Sequence, residues 1–160
     1  MQLSKEILRW NNLRIIQNTT NIPTEEIREL LIKVSKGINI SRIKLKIQNS
    51  NTIRYTGRIW RRRDMKCIDW KKYVYDVKIR IPTDQIPMYS FRLKKGERIV
   101  PRSVSEPKKL NLLALIWIHE IYHRRIYDSG KLNNHSEFKC ERFAYKKAVQ
   151  HKLIKMEELN

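Results

Sequence analysis

The chain has 160 residues, enough for one hydrophobic core and too few for two ordinary domains, and its 41% hydrophobic and 32% charged content is that of a globular chain, not a disordered or fibrous one. Lysine and arginine outnumber aspartate and glutamate by 35 to 16, a formal charge of +19 that attracts nucleic acid and other polyanions before any specific contact forms. Only two cysteines, Cys67 and Cys140, argue against a disulfide framework, and the lack of an apolar N-terminal core or of a ~20-residue apolar run argues against a secretory leader or a membrane span. The expectation is one soluble domain over residues 1–160, intracellular and cytoplasmic, with no membrane association.

Residues 4–17 carry Ile7, Leu8, Leu13 and Ile16 at helical spacing and predict a first helix. Thr24 stands as the N-cap of a second, in which Ile27, Leu30, Leu31 and Val34 keep the 3.6 period until Gly37. The pair does not read as a helix-turn-helix, because the link over 18–23 is longer than the three or four residues of that motif. No repeat or low-complexity tract interrupts the chain.

From residue 40 to 94 the period falls to two. Ile43, Leu45 and Ile47, then Ile53, Tyr55 and Ile59, then Tyr75, Val77, Ile79 and Ile81, then Tyr89, Phe91 and Leu93 alternate with polar and basic residues. This predicts a small, mainly antiparallel sheet with one buried face and one basic face. Arg54, Arg58, Arg61, Arg62, Arg63, Lys78 and Arg80 are the candidate nucleic-acid contacts, with Tyr55, Trp60, Trp70 and Tyr73 as aromatics on which bases stack. The plain alternative is a solvated basic surface.

An almost wholly apolar run over 110–118 predicts a helix buried all round. It leads directly into His119, Glu120, Ile121, Tyr122 and His123. Two imidazoles four residues apart share one helix face and can reach one ion, while the carboxylate beside them can take a proton from water. This is the H-E-x-x-H arrangement of a zinc hydrolase, with His119 and His123 as ligands and Glu120 as general base on a metal-activated water. Burying such groups with no partner costs several kcal/mol, and a metal removes that cost.

A third ligand is needed, and His135 and Glu137 are the candidates. The motif helix should stop near Asp128, Ser129 and Gly130, and a second helix should begin near Asn134. On it Glu137, Cys140, Glu141, Ala144 and Ala148 form a stripe of mostly small residues, which predicts close approach to the motif helix. Glu137 would then face the metal, and Glu141 could accept the second ring N–H of a ligand histidine. If Glu137 instead closes a capping box with Asn134, His135 remains as the ligand.

His119, Glu120, His123, Glu137, Cys140, Glu141, Phe143 and Ala144 together resemble the gluzincin pattern H-E-x-x-H…E-x-x-A-(N/D)-x-F-A of the ImmA/IrrE-like and minimal gluzincin metallopeptidases. The resemblance implies zinc on His119, His123 and Glu137, Glu120 as catalytic base, and Glu141 as a partner of a ligand. A second resemblance is that of 135–139 to the H-G-x-E-F region of SprT-like DNA-associated proteases, which implies His135 as third ligand. The order of elements is that of a compact zincin-like α+β domain: N-terminal helices, sheet, motif helix, final helix. Two functions are therefore open. One is a zinc metallopeptidase acting on a peptide or protein substrate, with Tyr122, Tyr127 or an arginine as oxyanion donor. The other is a basic nucleic-acid-binding protein whose metal cluster is structural.

Overall fold

The computed structural model describes residues 13–61, 75–94, 96, 99–129 and 137–156. In chain order these form β1 (Arg14–Asn18), α1 (Thr24–Val34), β2 (Ile43–Ser50), β3 (Thr56–Arg61), β4 (Tyr75–Pro82), β5 (Tyr89–Phe91), β6 (Val100–Arg102), α2 (Lys108–Asp128) and α3 (Glu137–Gln150). The described residues make an α+β fold of three helices, a four-stranded sheet in the order β1-β2-β4-β3 and a separate two-stranded pair, β5-β6.

The sheet is mixed, which corrects the expected mainly antiparallel one. β1 runs parallel to β2 and β2 parallel to β4, and only β3 and β4 are antiparallel. Residue alternation reports which face a side chain takes and is silent on strand direction; the crossover through α1 is what makes β1 and β2 parallel. The expected first helix over 4–17 is also corrected. Residues 4–12 lie outside the described residues, and Arg14–Asn18 is the edge strand β1. Leu13 and Ile16 fit a helical spacing equally well, but pairing with β2 supplies the ladder that decides the matter.

Smaller departures have local causes. Pro23, not Thr24, precedes α1 as its cap; the Thr24 hydroxyl accepts a bond from Asn18 Nδ2 at 3.2 Å and braces the turn out of β1. Ile53 is 66% exposed and precedes β3, so its place in the alternation was coincidental. The last strand ends at Phe91, before Leu93, and pairs with β6 instead of joining the main sheet.

One face of the sheet is apolar. Ile43, Leu45, Ile47, Tyr75, Val77, Ile79 and Ile81 are buried there against α1 and α2. α2 is enclosed on all sides, as its run of apolar residues dictates, with Leu112 to Ile118 almost wholly buried. Two polar contacts set its position. At its middle, Trp117 Nε1 donates to Ser35 Oγ at 2.8 Å, and Ser35 Oγ donates to the Leu31 carbonyl at 2.5 Å, tying α2 to the end of α1. At its end, Asp128 accepts from Tyr75 Oη at 2.6 Å and from Arg124 Nε at 3.2 Å, while the Arg124 guanidinium lies 4.8 Å from the Tyr75 ring centroid and donates to the Ser41 carbonyl. The last turns of α2 are thereby fixed to the sheet. α3 packs on α2 through Cys140, Ala144 and Ala148, all fully buried, as the small-residue stripe predicts. No helix among the described residues is long and apolar enough to cross a membrane.

Candidate metal centre

His119, Glu120 and His123 occupy the last turns of α2, where the helix emerges from the core. The i, i+4 spacing brings the two rings together, with their Nε2 atoms 3.1 Å apart. α3 begins opposite them, and its first residue is Glu137. One carboxylate oxygen of Glu137 lies 3.0 Å from His119 Nε2 and the other 3.3 Å from His123 Nε2. Three donor groups thus converge on one point. The other ring nitrogens also face α3: Glu141 Oε1 is 3.3 Å from His119 Nδ1, and Cys140 Sγ is 3.5 Å from His123 Nδ1.

His119, His123 and Cys140 offer donor atoms that all lie within 4.8 Å of one another, so this group could hold a metal ion. The side on which each donor sits bears on which are ligands. Cys140 meets His123 at Nδ1, whereas Glu137 meets both histidines at Nε2, the atoms that point at each other. Glu137 is also the more exposed, as expected of a ligand at the mouth of a cleft.

The charge of the cluster suits a dication. Three carboxylates, those of Glu120, Glu137 and Glu141, surround two imidazoles in a chain that is otherwise strongly basic. Burial disfavours the charged ring of His119, but the Glu137 and Glu141 carboxylates in contact with it, and the charge of Glu120, push its pKa up to about 10. Burial pushes Glu120 up to about 7, with the His119 charge opposing and the Glu137 and Glu141 charges adding. The Cys140 thiol is raised in the same way, by burial first and then by the Glu137, Glu120 and Glu141 carboxylates. Two buried atoms here lack an aligned hydrogen bond: His119 Nδ1, which meets Glu141 Oε1 only as an ion-pair contact at 3.3 Å, and Glu141 Oε2. A metal on Nε2 draws density from the ring and makes Nδ1–H a better donor to a carboxylate, so the donor set fits a bound cation.

The cluster opens into a cleft of about 300 Å³ lined by Gly57, Arg58 and Ile59 of β3 together with His119, Glu120, His123, Tyr127 and Glu137. β3 ends the described sheet and forms one wall. Gly57 is what lets it come so close. A Cβ at that position would overlap Ile116 Cγ2 and stand 2.9 Å from Glu120 Oε1. Of the expected oxyanion donors, Tyr127 lines the cleft; Arg58 borders it as part of the β3 wall, but its register opposite Lys78 gives its side chain the parity of the open face. Tyr122 does not; it stacks on Phe143 at 4.6 Å beside a neighbouring groove.

His119, Glu120, His123, Glu137 and Glu141 are therefore brought together, while His135 and Asn134 lie outside the described residues. Gly57 was missed by reasoning from sequence, although a glycine inside an alternating strand signals close approach of another element. The candidate nucleic-acid residues divide. Arg58, Lys78 and Arg80 share the open face of the sheet, with Thr56 opposite Arg80 and Arg58 opposite Lys78. Arg54 is exposed ahead of β3, and Arg61 pairs with Tyr75 and so takes the parity of the other face. Tyr55 also leaves the basic face, because it stacks on Tyr89 at 5.2 Å. Arg62, Arg63, Trp70 and Tyr73 lie outside the described residues. No protein family, no curated protein and no solved structure matches this chain.

Proposed function

We propose that this chain is a zinc-dependent metallopeptidase. The observation that carries the reading is the convergence of His119, His123 and Glu137 across two helices, the two Nε2 atoms 3.1 Å apart and each within 3.3 Å of one Glu137 oxygen, with Glu120 beside them in a cleft. Two imidazoles and a carboxylate, with one position left open, are a donor set of catalytic zinc, and zinc bound there supplies Lewis acidity toward a peptide carbonyl and toward water.

The chain's own residues do the rest. Glu120, mostly buried and next to the ligands, takes the proton of the attacking water and returns it to the leaving amine. Glu141 holds the His119 ring in one orientation through Nδ1. Tyr127, on the wall of the cleft, would be the donor to the oxygen that gains charge. β3 is an edge of the described sheet and borders the cleft, so an extended peptide can pair with its main chain and present the scissile bond to Glu120. The resemblance of the motif residues to ImmA/IrrE-like metallopeptidases agrees with this reading, as does the meeting of Glu137 with both histidines.

The test is zinc content and proteolysis measured together. Freshly purified wild type should carry about one zinc per chain and cleave a denatured, dye-labelled protein. Glu120→Gln should keep the zinc and lose turnover by several orders of magnitude. Turnover surviving in Glu120→Gln, or wild type free of zinc at full folding, would overturn the proposal.

A further inference from the structure

We infer that the open face of the four-stranded sheet binds single-stranded nucleic acid through a row of cations laid across three strands. The inference does not depend on the peptidase reading. Strand register places Arg58 of β3 opposite Lys78 of β4, and Lys78 opposite Lys46 of β2. With strands about 4.8 Å apart, the three side chains form a line spanning roughly 10 Å. Arg80 stands in the next row between Thr56 and Gln48, and Lys44 and Asp76 in the row on the other side, beside Trp60.

Like charges directly opposite one another destabilise a sheet, and here two such pairs share one row. None of Arg58, Lys78 and Lys46 forms an ion pair with another described residue, and Asp76 is the only carboxylate among the described residues of this face. α1 and α2 pack on the opposite, apolar side of the sheet, so among the described residues of this face only Asp76, in the neighbouring row, offsets its positive charge, and a polyanion laid across the row would neutralise the rest.

Trp60 decides what kind of polyanion. It is 42% exposed on the same face, and with Lys44, Lys46, Lys78, Ile16 and the single carboxylate Asp76 it lines a hollow of about 250 Å³. An indole next to a row of cations suits an unpaired base stacked on the ring while its phosphates lie along the row. A duplex has no free base face to offer, and an anionic lipid surface is flat where this face is hollow.

The test is anisotropy of a dye-labelled oligothymidylate titrated with the full-length protein over a salt series. Wild type should bind with an affinity that falls steeply with salt. Lys46→Glu with Lys78→Glu should weaken binding at least about 10-fold more than Lys139→Glu with Lys146→Glu, which changes the net charge equally but lies on α3, and should flatten the salt slope by about 1.4, at ~0.7 for each phosphate no longer neutralised. Trp60→Ala should weaken binding roughly 5-fold or more with the slope unchanged. Lys78→Gln guards against misfolding: it removes both like-charge pairs, so its thermal midpoint should not fall below that of wild type, while its binding should weaken. Equal losses in the two double variants would mean that net charge alone binds, and would overturn the inference. So would tighter binding to anionic vesicles than to the oligonucleotide, undiminished binding by Lys78→Gln, or no wild-type binding at low salt.

Discussion

Gly57 lies against Glu120, so close that a methyl group at residue 57 would stand 2.9 Å from Glu120 Oε1 and overlap Ile116 Cγ2. The strand that walls the cleft and the helix that carries Glu120 thus meet with no side chain of residue 57 between them. Gly57→Ala forces β3 outward or turns Glu120 aside, because Ile116 is a buried, β-branched residue with nowhere to move. Thermal unfolding should show a loss of about 1–3 kcal/mol, as for other overpacked sites. Turnover should fall further than the loss of folded protein explains. An alanine variant as stable and as active as wild type would show that the two elements do not touch.

The two candidates for a third metal ligand, Glu137 and Cys140, differ in the side of the ring each one meets. Glu137 approaches His119 and His123 at Nε2, and Cys140 approaches His123 at Nδ1. Glu137→Ala should therefore strip the metal, while Cys140→Ala should retain about one ion per chain with affinity lowered by at most 10- to 100-fold, the size of an effect exerted through a ligand. Elemental analysis after dialysis against a weak chelator reads both. Metal kept by Glu137→Ala and lost by Cys140→Ala would assign the thiolate as ligand.

Ser35 answers the buried indole N–H of Trp117 at 2.8 Å. Ser35→Ala leaves that donor unpaired in the core, which costs about 1–3 kcal/mol. Denaturant unfolding should show this loss with the slope unchanged, and Trp117→Phe added to Ser35→Ala should restore part of it by removing the orphaned donor. Simple additivity of the two losses would mean that the bond contributes nothing.

Tyr75 makes alkaline unfolding informative. Burial, and next the hydrogen bond to Asp128 and the charge of Asp128, push its hydroxyl up to about 12, against the pull of Arg61 and Arg124. The unfolded chain releases this proton near 10 and the folded chain only near 12, so the contribution is complete below pH 10 and is lost as the pH rises through that interval. Tyr75→Phe should be less stable than wild type at neutral pH and should lose stability less steeply between those limits. Parallel curves for the two proteins would place the alkaline transition elsewhere.

Much of the candidate site was legible because it is local. Four residues on a helix place His119 and His123 on one face whatever the surroundings, and a stripe of small residues on the next helix brings Glu137 and Glu141 to them across a close contact. The buried character of α2 was legible for the same reason, since a run of apolar residues with no polar face has only the core to go to. The largest departure is non-local: Arg14–Asn18 is a strand because β2 lies beside it.

Residue order alone, then, dictates two imidazoles and a carboxylate at the end of a buried helix, a small-residue helix to face them, a period-two region with one basic side, and a large positive charge. Tertiary structure decides the rest. It makes the sheet mixed, sets β3 at its edge against Glu120, keeps Tyr127 in the cleft and Tyr122 out of it, and aligns Arg58, Lys78 and Lys46 in one row. The physical reason is that helical periodicity fixes neighbours within a few residues, whereas strand direction, register and the approach of a strand to a helix are settled by pairing between segments far apart in the chain.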